Sequence, residues 1–99
     1  MNAQTVFIAT LRVKEGREAD LERLQSELSA LAHDREPGTL VYDILKSRER
    51  PRTYVVYARF RDQAAFEFHQ HTDFHDRLVP GIVDCLASQF EIEFFDYVA

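Results

Sequence analysis

Tryptophan is absent from the 99 residues, cysteine occurs once, and glycine and proline occur three times each. Each scarcity excludes something. A lone cysteine, Cys85, cannot close an intramolecular disulfide, and such usage fits a reducing cytosol. So little glycine and proline, beside 45% hydrophobic and 12% aromatic residues, excludes disorder and low complexity. No apolar run approaches the ~20 residues that a membrane span requires. The start, Met1-Asn2-Ala3-Gln4, lacks the basic-then-apolar layout of an export leader. There is no CxxC, no Gly-rich phosphate loop and no G-x-S-x-G, which removes loop-held nucleotide cofactors and serine hydrolase chemistry. Nothing supports flavin or nicotinamide dependence. Twelve basic residues against seventeen acidic ones leave a net charge of −5, which argues against a nucleic-acid surface.

What is present suffices for one domain spanning residues 1–99. By surface scaling, a chain of 11.6 kDa buries about 65% of its extended surface on folding, enough for one real core. Thr5 to Val13 is rich in β-branched residues and reads as a strand. Lys14-Glu15-Gly16 turns the chain into a long helix, with Leu21, Leu24, Leu28 and Leu31 in one stripe and Glu18, Asp20 and Glu22 complementing the dipole. Pro37-Gly38 stops it. Thr39–Leu45 and Thr53–Phe60 read as a hairpin around a polar turn containing Pro51. Asp62 can cap a helix from Gln63 to about His71, and Thr72-Asp73 a further short helix through Phe74 and Leu78. Pro80-Gly81 is expected to break that helix. Phe90 to Val98 is the final strand.

The order β-α-β-β-α-β is the ferredoxin-like split βαβ layout, an α+β fold with a four-stranded antiparallel sheet and helices on one face. The strands are nevertheless apolar on both faces. Phe7, Leu11 and Val13 oppose Val6 and Ile8; Val55 and Tyr57 oppose Tyr54, Val56 and Phe60; Phe90, Ile92 and Phe94 oppose Phe95 and Tyr97. A half-solvated antiparallel sheet alternates apolar with polar residues instead. The side without helices therefore needs a cover, most simply a second copy packed sheet to sheet.

Three segments carry a resemblance: Glu36-Pro37-Gly38-Thr39-Leu40-Val41-Tyr42, Tyr57-Ala58-Arg59-Phe60-Arg61-Asp62-Gln63-Ala64-Ala65-Phe66, and His69-Gln70-His71-Thr72. In order and spacing they resemble the antibiotic biosynthesis monooxygenase domain family. That family has a Glu-Pro-Gly turn entering a strand with Tyr, then a strand ending aromatic-Glu-Arg-aromatic. An Asp-x-x-Ala helix start follows, with a His a turn later and a Thr or Ser three residues on. The resemblance implies a dimeric α+β barrel of ferredoxin-like subunits, each with a small-molecule pocket between helices and sheet. Its members include cofactor-free monooxygenases acting on quinols and aromatic polyketides, haem-degrading enzymes, and an isomerase-type enzyme for a phosphorylated signalling sugar. Two departures stand out. Ala58 occupies the family's strand-glutamate position, and the missing Trp counts against haem degradation and the polyketide type.

His69 is the best candidate for chemistry. It shares a helical stripe with Ala65 and Phe66, and an imidazole can take a proton from a phenol or hydroxyl before the anion meets oxygen. Taken alone, it could equally be a core histidine satisfied by a backbone or Tyr partner. Tyr42 and Arg59 match family positions and would steady the anion. Against that, Tyr42 could be a packing residue, and Arg59 could pair with an Asp or Glu across the dimer. Phe66, Phe74 and Tyr57 are the expected substrate-binding residues, with Phe66 and Phe74 equally suited to the core. His69, His71 and His75, flanked by Asp73 and Asp76, have no metal-site geometry on a helix and read as solvated polar residues, so no metal is expected. Glu36 could be no more than a helix-terminal residue, and Cys85 is expected buried and inert. The expectation is a cytosolic homodimer without a bound cofactor, not associated with nucleic acid or membrane. It would act on a small aromatic, quinol-like or enolisable substrate by proton abstraction. Isomerisation by the same groups and a noncatalytic small-molecule-binding dimer are the alternatives.

Overall fold

The computed structural model describes residues 3–99; Met1 and Asn2, which open the segment read as lacking a leader, lie outside them. The elements are β1 (Thr5–Arg12), α1 (Glu18–Arg35), β2 (Thr39–Lys46), β3 (Thr53–Phe60), α2 (Gln63–Gln70), α3 (Asp73–Asp84) and β4 (Glu91–Asp96). All strand pairs are antiparallel, in the order β2-β3-β1-β4, so the ferredoxin-like α+β architecture is present. Val13 leaves β1 for an isolated bridge to Leu86, and β4 is shorter at both ends than the apolar run suggests.

Local chemistry sets the element ends. Gly16 has φ 85°, a left-handed conformation that glycine adopts without a Cβ clash, and its N–H donates to Glu18 Oε1 at 2.8 Å. Asp62 Oδ1 accepts from Ala65 N–H at 2.8 Å to start α2, and Thr72 Oγ1 accepts from His75 N–H at 3.2 Å to start α3. At the end of α1, Glu36 is extended (φ −113°, ψ 100°), as a residue before proline prefers.

The expected break at Pro80-Gly81 does not occur: α3 runs through Pro80 to Asp84. An interior proline removes one helix hydrogen bond and crowds the carbonyl four residues back, but Pro80 is solvent-exposed, where water can reach the freed carbonyl. Phe74, Leu78 and Ile82, spaced at one helical turn, are all buried and hold the segment helical across it. On α1 the buried positions are Leu21, Gln25, Leu28 and Ala32, with Leu24 and Leu31 partly buried at the margin. The face is thus rotated by about 50° from the all-leucine stripe, at 100° per residue.

Register defines two sheet faces. Under the helices run the rows Tyr42–Ala58–Phe7–Phe94 and Ile44–Val56–Ala9–Ile92. The opposite face carries Val41–Arg59–Val6–Phe95, Asp43–Tyr57–Ile8–Glu93 and Leu45–Val55–Thr10–Glu91. The core lies between helices and the first set of rows, and β4, at one edge, is exposed along its whole length.

Candidate active site

His69 ends the apolar stripe of α2 and reaches the sheet at Tyr42 and Phe60, with ring centroids 5.1 Å and 5.3 Å away. Its Nδ1 lies 2.9 Å and 3.0 Å from the two carboxylate oxygens of Glu36. Both side chains are almost wholly buried, at 2% and 1% exposure. A carboxylate can only accept, so Nδ1 carries the hydrogen, and in the neutral ring Nε2 is the nitrogen left with a lone pair. Burial pushes the Glu36 pKa up, but hydrogen bonds from His69 and Thr39 outweigh it and hold the group below its ordinary value. Thr39 Oγ1 donates to Glu36 Oε1 at 2.6 Å.

Glu36 is brought to His69 by close backbone packing. A Cβ on Gly38 would collide with the Cβ of Ala65, one helical turn before His69, so only glycine allows the Pro37-Gly38 turn to sit against α2. The Gly38 carbonyl also accepts from Arg61 N–H at 2.8 Å, tying the same turn to the start of α2.

His69 lines a cavity of about 360 Å³ between the helices and the sheet. Its walls are largely apolar, with Phe7, Phe66, Val56 and Phe94 prominent, and Tyr42, Gln25 and His75 add polar groups. Burial, with a smaller push from Glu36, raises the Tyr42 hydroxyl pKa well above its ordinary value, so it stays a neutral donor. His75 stands edge-on to His69 with centroids 4.9 Å apart. Burial first, and then the neighbouring His69, lower its pKa, which keeps it neutral. A neutral His75 places no charge against a proton arriving on His69. Such a site can take a proton from an apolar ligand and hold the resulting anion beside a neutral phenol.

The expected residues separate into those at the cavity and those away from it. His69, Tyr42 and Phe66 line it. Phe74 is buried in the core but does not line it. Arg59 and Tyr57 lie on the opposite face of the sheet, because they alternate with the inward-facing Ala58 and Phe60. The Arg59 guanidinium sits 4.5 Å over the Tyr97 ring, and its Nε is buried with no hydrogen-bond partner among the described residues. In this chain neither Arg59 nor Tyr57 reaches the His69 cavity.

His71 is exposed, whereas His75 is half-buried at the cavity instead of solvated as expected. Among the described residues no group of three His, Cys, Asp or Glu side chains could hold a metal. Glu36 is the partner that local pattern could not show, since it is 33 residues from His69. Gln25 was missed because it lies beside the all-leucine stripe of the sequence and enters the buried face of α1 only through the rotation of that face.

Residues 5–80 match the sequence profile of a family described as antibiotic biosynthesis monooxygenase. No curated protein matches the chain significantly. Among solved structures, a Caulobacter crescentus CB15 protein named as a candidate antibiotic biosynthesis monooxygenase is 26% identical. It superposes with a TM-score of 0.95, covering 99% of this chain and 92% of its own. A Pseudomonas aeruginosa protein is 29% identical (TM-score 0.87), over 100% of this chain and 98% of its own. The crystal structure of a further protein, described as an antibiotic biosynthesis monooxygenase, is 26% identical with a TM-score of 0.86, over 96% and 99% of the two chains.

Proposed function

The chain belongs to the antibiotic biosynthesis monooxygenase family, and from that premise we propose that it is a cofactor-free monooxygenase of small aromatic, phenolic or enolisable compounds. The observation that carries the reading is the buried Glu36–His69 pair opening on an apolar cavity. His69 Nε2 takes the substrate's acidic proton, and the Glu36 carboxylate stabilises the imidazolium that forms. The Tyr42 hydroxyl donates to the developing oxyanion. The electron-rich carbanion form then reacts with O₂. One oxygen atom ends on the reacting carbon as a carbonyl, and the other leaves as water with two hydrogens, both from the carbon of an enolisable methylene or one from a ring carbon and one from the hydroxyl of a phenol. The substrate supplies all four electrons.

The working unit in this reading is a cytosolic homodimer packed through the open sheet face. Val6, Ile8, Val55 and Tyr57 form the apolar middle of that face, and Asp43, Glu91 and Glu93 lie towards its edges.

Oxygen uptake with a panel of phenols and quinols tests the chemistry. His69→Gln keeps volume and a hydrogen bond to Glu36 but cannot serve as the base, so uptake should fall by at least 100-fold with the fold retained. Glu36→Gln should lower the rate by a smaller factor. Near-native uptake in His69→Gln would sink the general-base reading. Ligand binding with no uptake from any panel member would leave a binding protein, and product isomers without uptake would leave an isomerase.

A further inference from the structure

The cavity contains a polar group that proton abstraction by His69 does not use. Gln25 lies in the buried face of α1 between Leu21 and Leu28, is 4% exposed, and lines the cavity. Its Oε1 is buried with no hydrogen-bond partner among the described residues. Buried amides are paired as a rule, and a leucine here would complete the apolar stripe without leaving a polar atom unpaired. An unpaired buried acceptor makes glutamine an unfavourable choice here for stability alone.

Its place along the sheet is defined by its neighbours on α1. Ser29 Oγ donates to the Tyr42 carbonyl at 2.5 Å, and Glu22 accepts from the Tyr54 hydroxyl and lies near Lys46. So α1 runs antiparallel to β2, from Lys46 towards Tyr42. Gln25 falls between these anchors, about 6 Å along the helix axis from Ser29 at 1.5 Å per residue. Tyr42 and Phe60 flank His69. Gln25 therefore stands at a different level of the cavity, nearer the Ile44–Val56–Ala9 row.

We propose that Gln25 orients the substrate, its amide hydrogen-bonding a second polar group, a hydroxyl, at the end of a flat apolar ligand remote from His69. The proposal rests on the reading of the cavity as a substrate site, and it narrows the substrate class to small aromatics with polar groups at both ends. An amide offers both a donor and an acceptor, and turning it about its last torsion presents either one. A hydroxyl can meet both, whereas an unsubstituted ring edge meets neither and leaves the amide unpaired.

The test compares 2-naphthol with 2,6- and 2,7-dihydroxynaphthalene, titrated anaerobically by ligand fluorescence, for which the absence of tryptophan leaves a low protein background. The wild-type protein should bind the tighter diol about tenfold better than 2-naphthol, the scale of one added neutral hydrogen bond. Gln25→Met keeps length and volume but removes the amide. It should bring the two ligands within about twofold by weakening only the diol, with an unchanged or higher melting temperature for the free protein. His69→Gln should keep the diol preference. Equal wild-type affinities, a preference that survives Gln25→Met, or equal weakening of both ligands would overturn the role of Gln25. If neither ligand binds the wild-type protein, the substrate-site reading falls, and this inference with it.

Discussion

At the scale of single residues, the Glu36–His69 pair couples the candidate chemistry to stability. Glu36 is held below its ordinary pKa of 4.5 by His69 and Thr39 despite burial, and burial lowers His75 from its ordinary 6.5. In both cases the unfolded chain binds a proton more readily than the folded one, so stability falls with pH in the same direction for both. The His75 share is complete above pH 6.5 and declines below it; the Glu36 share declines below pH 4.5. Urea midpoints should therefore drop in two stages between pH 7 and pH 3.5, and Glu36→Gln should remove the lower stage. At pH 7 the same substitution should cost about 2 kcal/mol, because it leaves a buried imidazole with a poorer partner. A midpoint constant from pH 7 to pH 4 would contradict this. His69 was legible in sequence because its stripe with Ala65 and Phe66 is local. Glu36 was not: a helix-terminal glutamate looks the same whether it meets water or an imidazole from a distant segment.

At the scale of elements, the decisive contact is the one between the Pro37-Gly38 turn and α2. Gly38→Ala would drive a methyl group into Ala65, and overpacking of this kind costs about 1–3 kcal/mol. It should also separate Glu36 from His69, so activity should fall by more than the loss of folded protein accounts for. Comparing oxygen uptake with the folded fraction from circular dichroism checks this; a loss that tracks unfolding alone would argue against it. Strand alternation by itself opposes Tyr57 and Arg59 to Tyr54, Val56 and Phe60. Alternation does not say which of two apolar faces the helices cover, and both faces here are apolar enough to qualify. Tertiary packing resolved it, through Tyr54 hydrogen-bonded to Glu22 of α1 and Phe60 against His69 of α2. Pro80 was misleading for a related reason, since a lost hydrogen bond on an exposed side weighs less than three buried anchors.

At the scale of the whole molecule, the open apolar sheet face is what the proposed assembly rests on. Val55 lies in its apolar middle, half-buried and paired with Thr10 and Leu45. Val55→Asp should yield monomer or insoluble protein in light scattering, because a carboxylate there would have to be desolvated between two sheets. A soluble wild-type dimer that tolerates Val55→Asp would place the interface elsewhere. The total fold was legible from element order and periodicity, since those depend on local spacing. The surface proposed to meet a second copy was legible only as an excess of apolar residues.

The exposed edge strand has a consequence for how such a protein responds to dilution. Ile92 and Phe94 of β4 form one wall of the cavity, yet they are 43% and 51% exposed in the single chain. As the edge strand, β4 is hydrogen-bonded to the sheet on one side only, through β1, so its outward amides should be among the first to exchange with solvent. If subunit association restrains this strand, association and ligand capture share one free energy, and each must strengthen the other to the same degree. Ligand affinity should then weaken as the protein is diluted below its dimer dissociation constant. Saturating ligand should in turn shift that dissociation constant to lower concentrations, so that substrate supply itself governs how much of the protein is assembled.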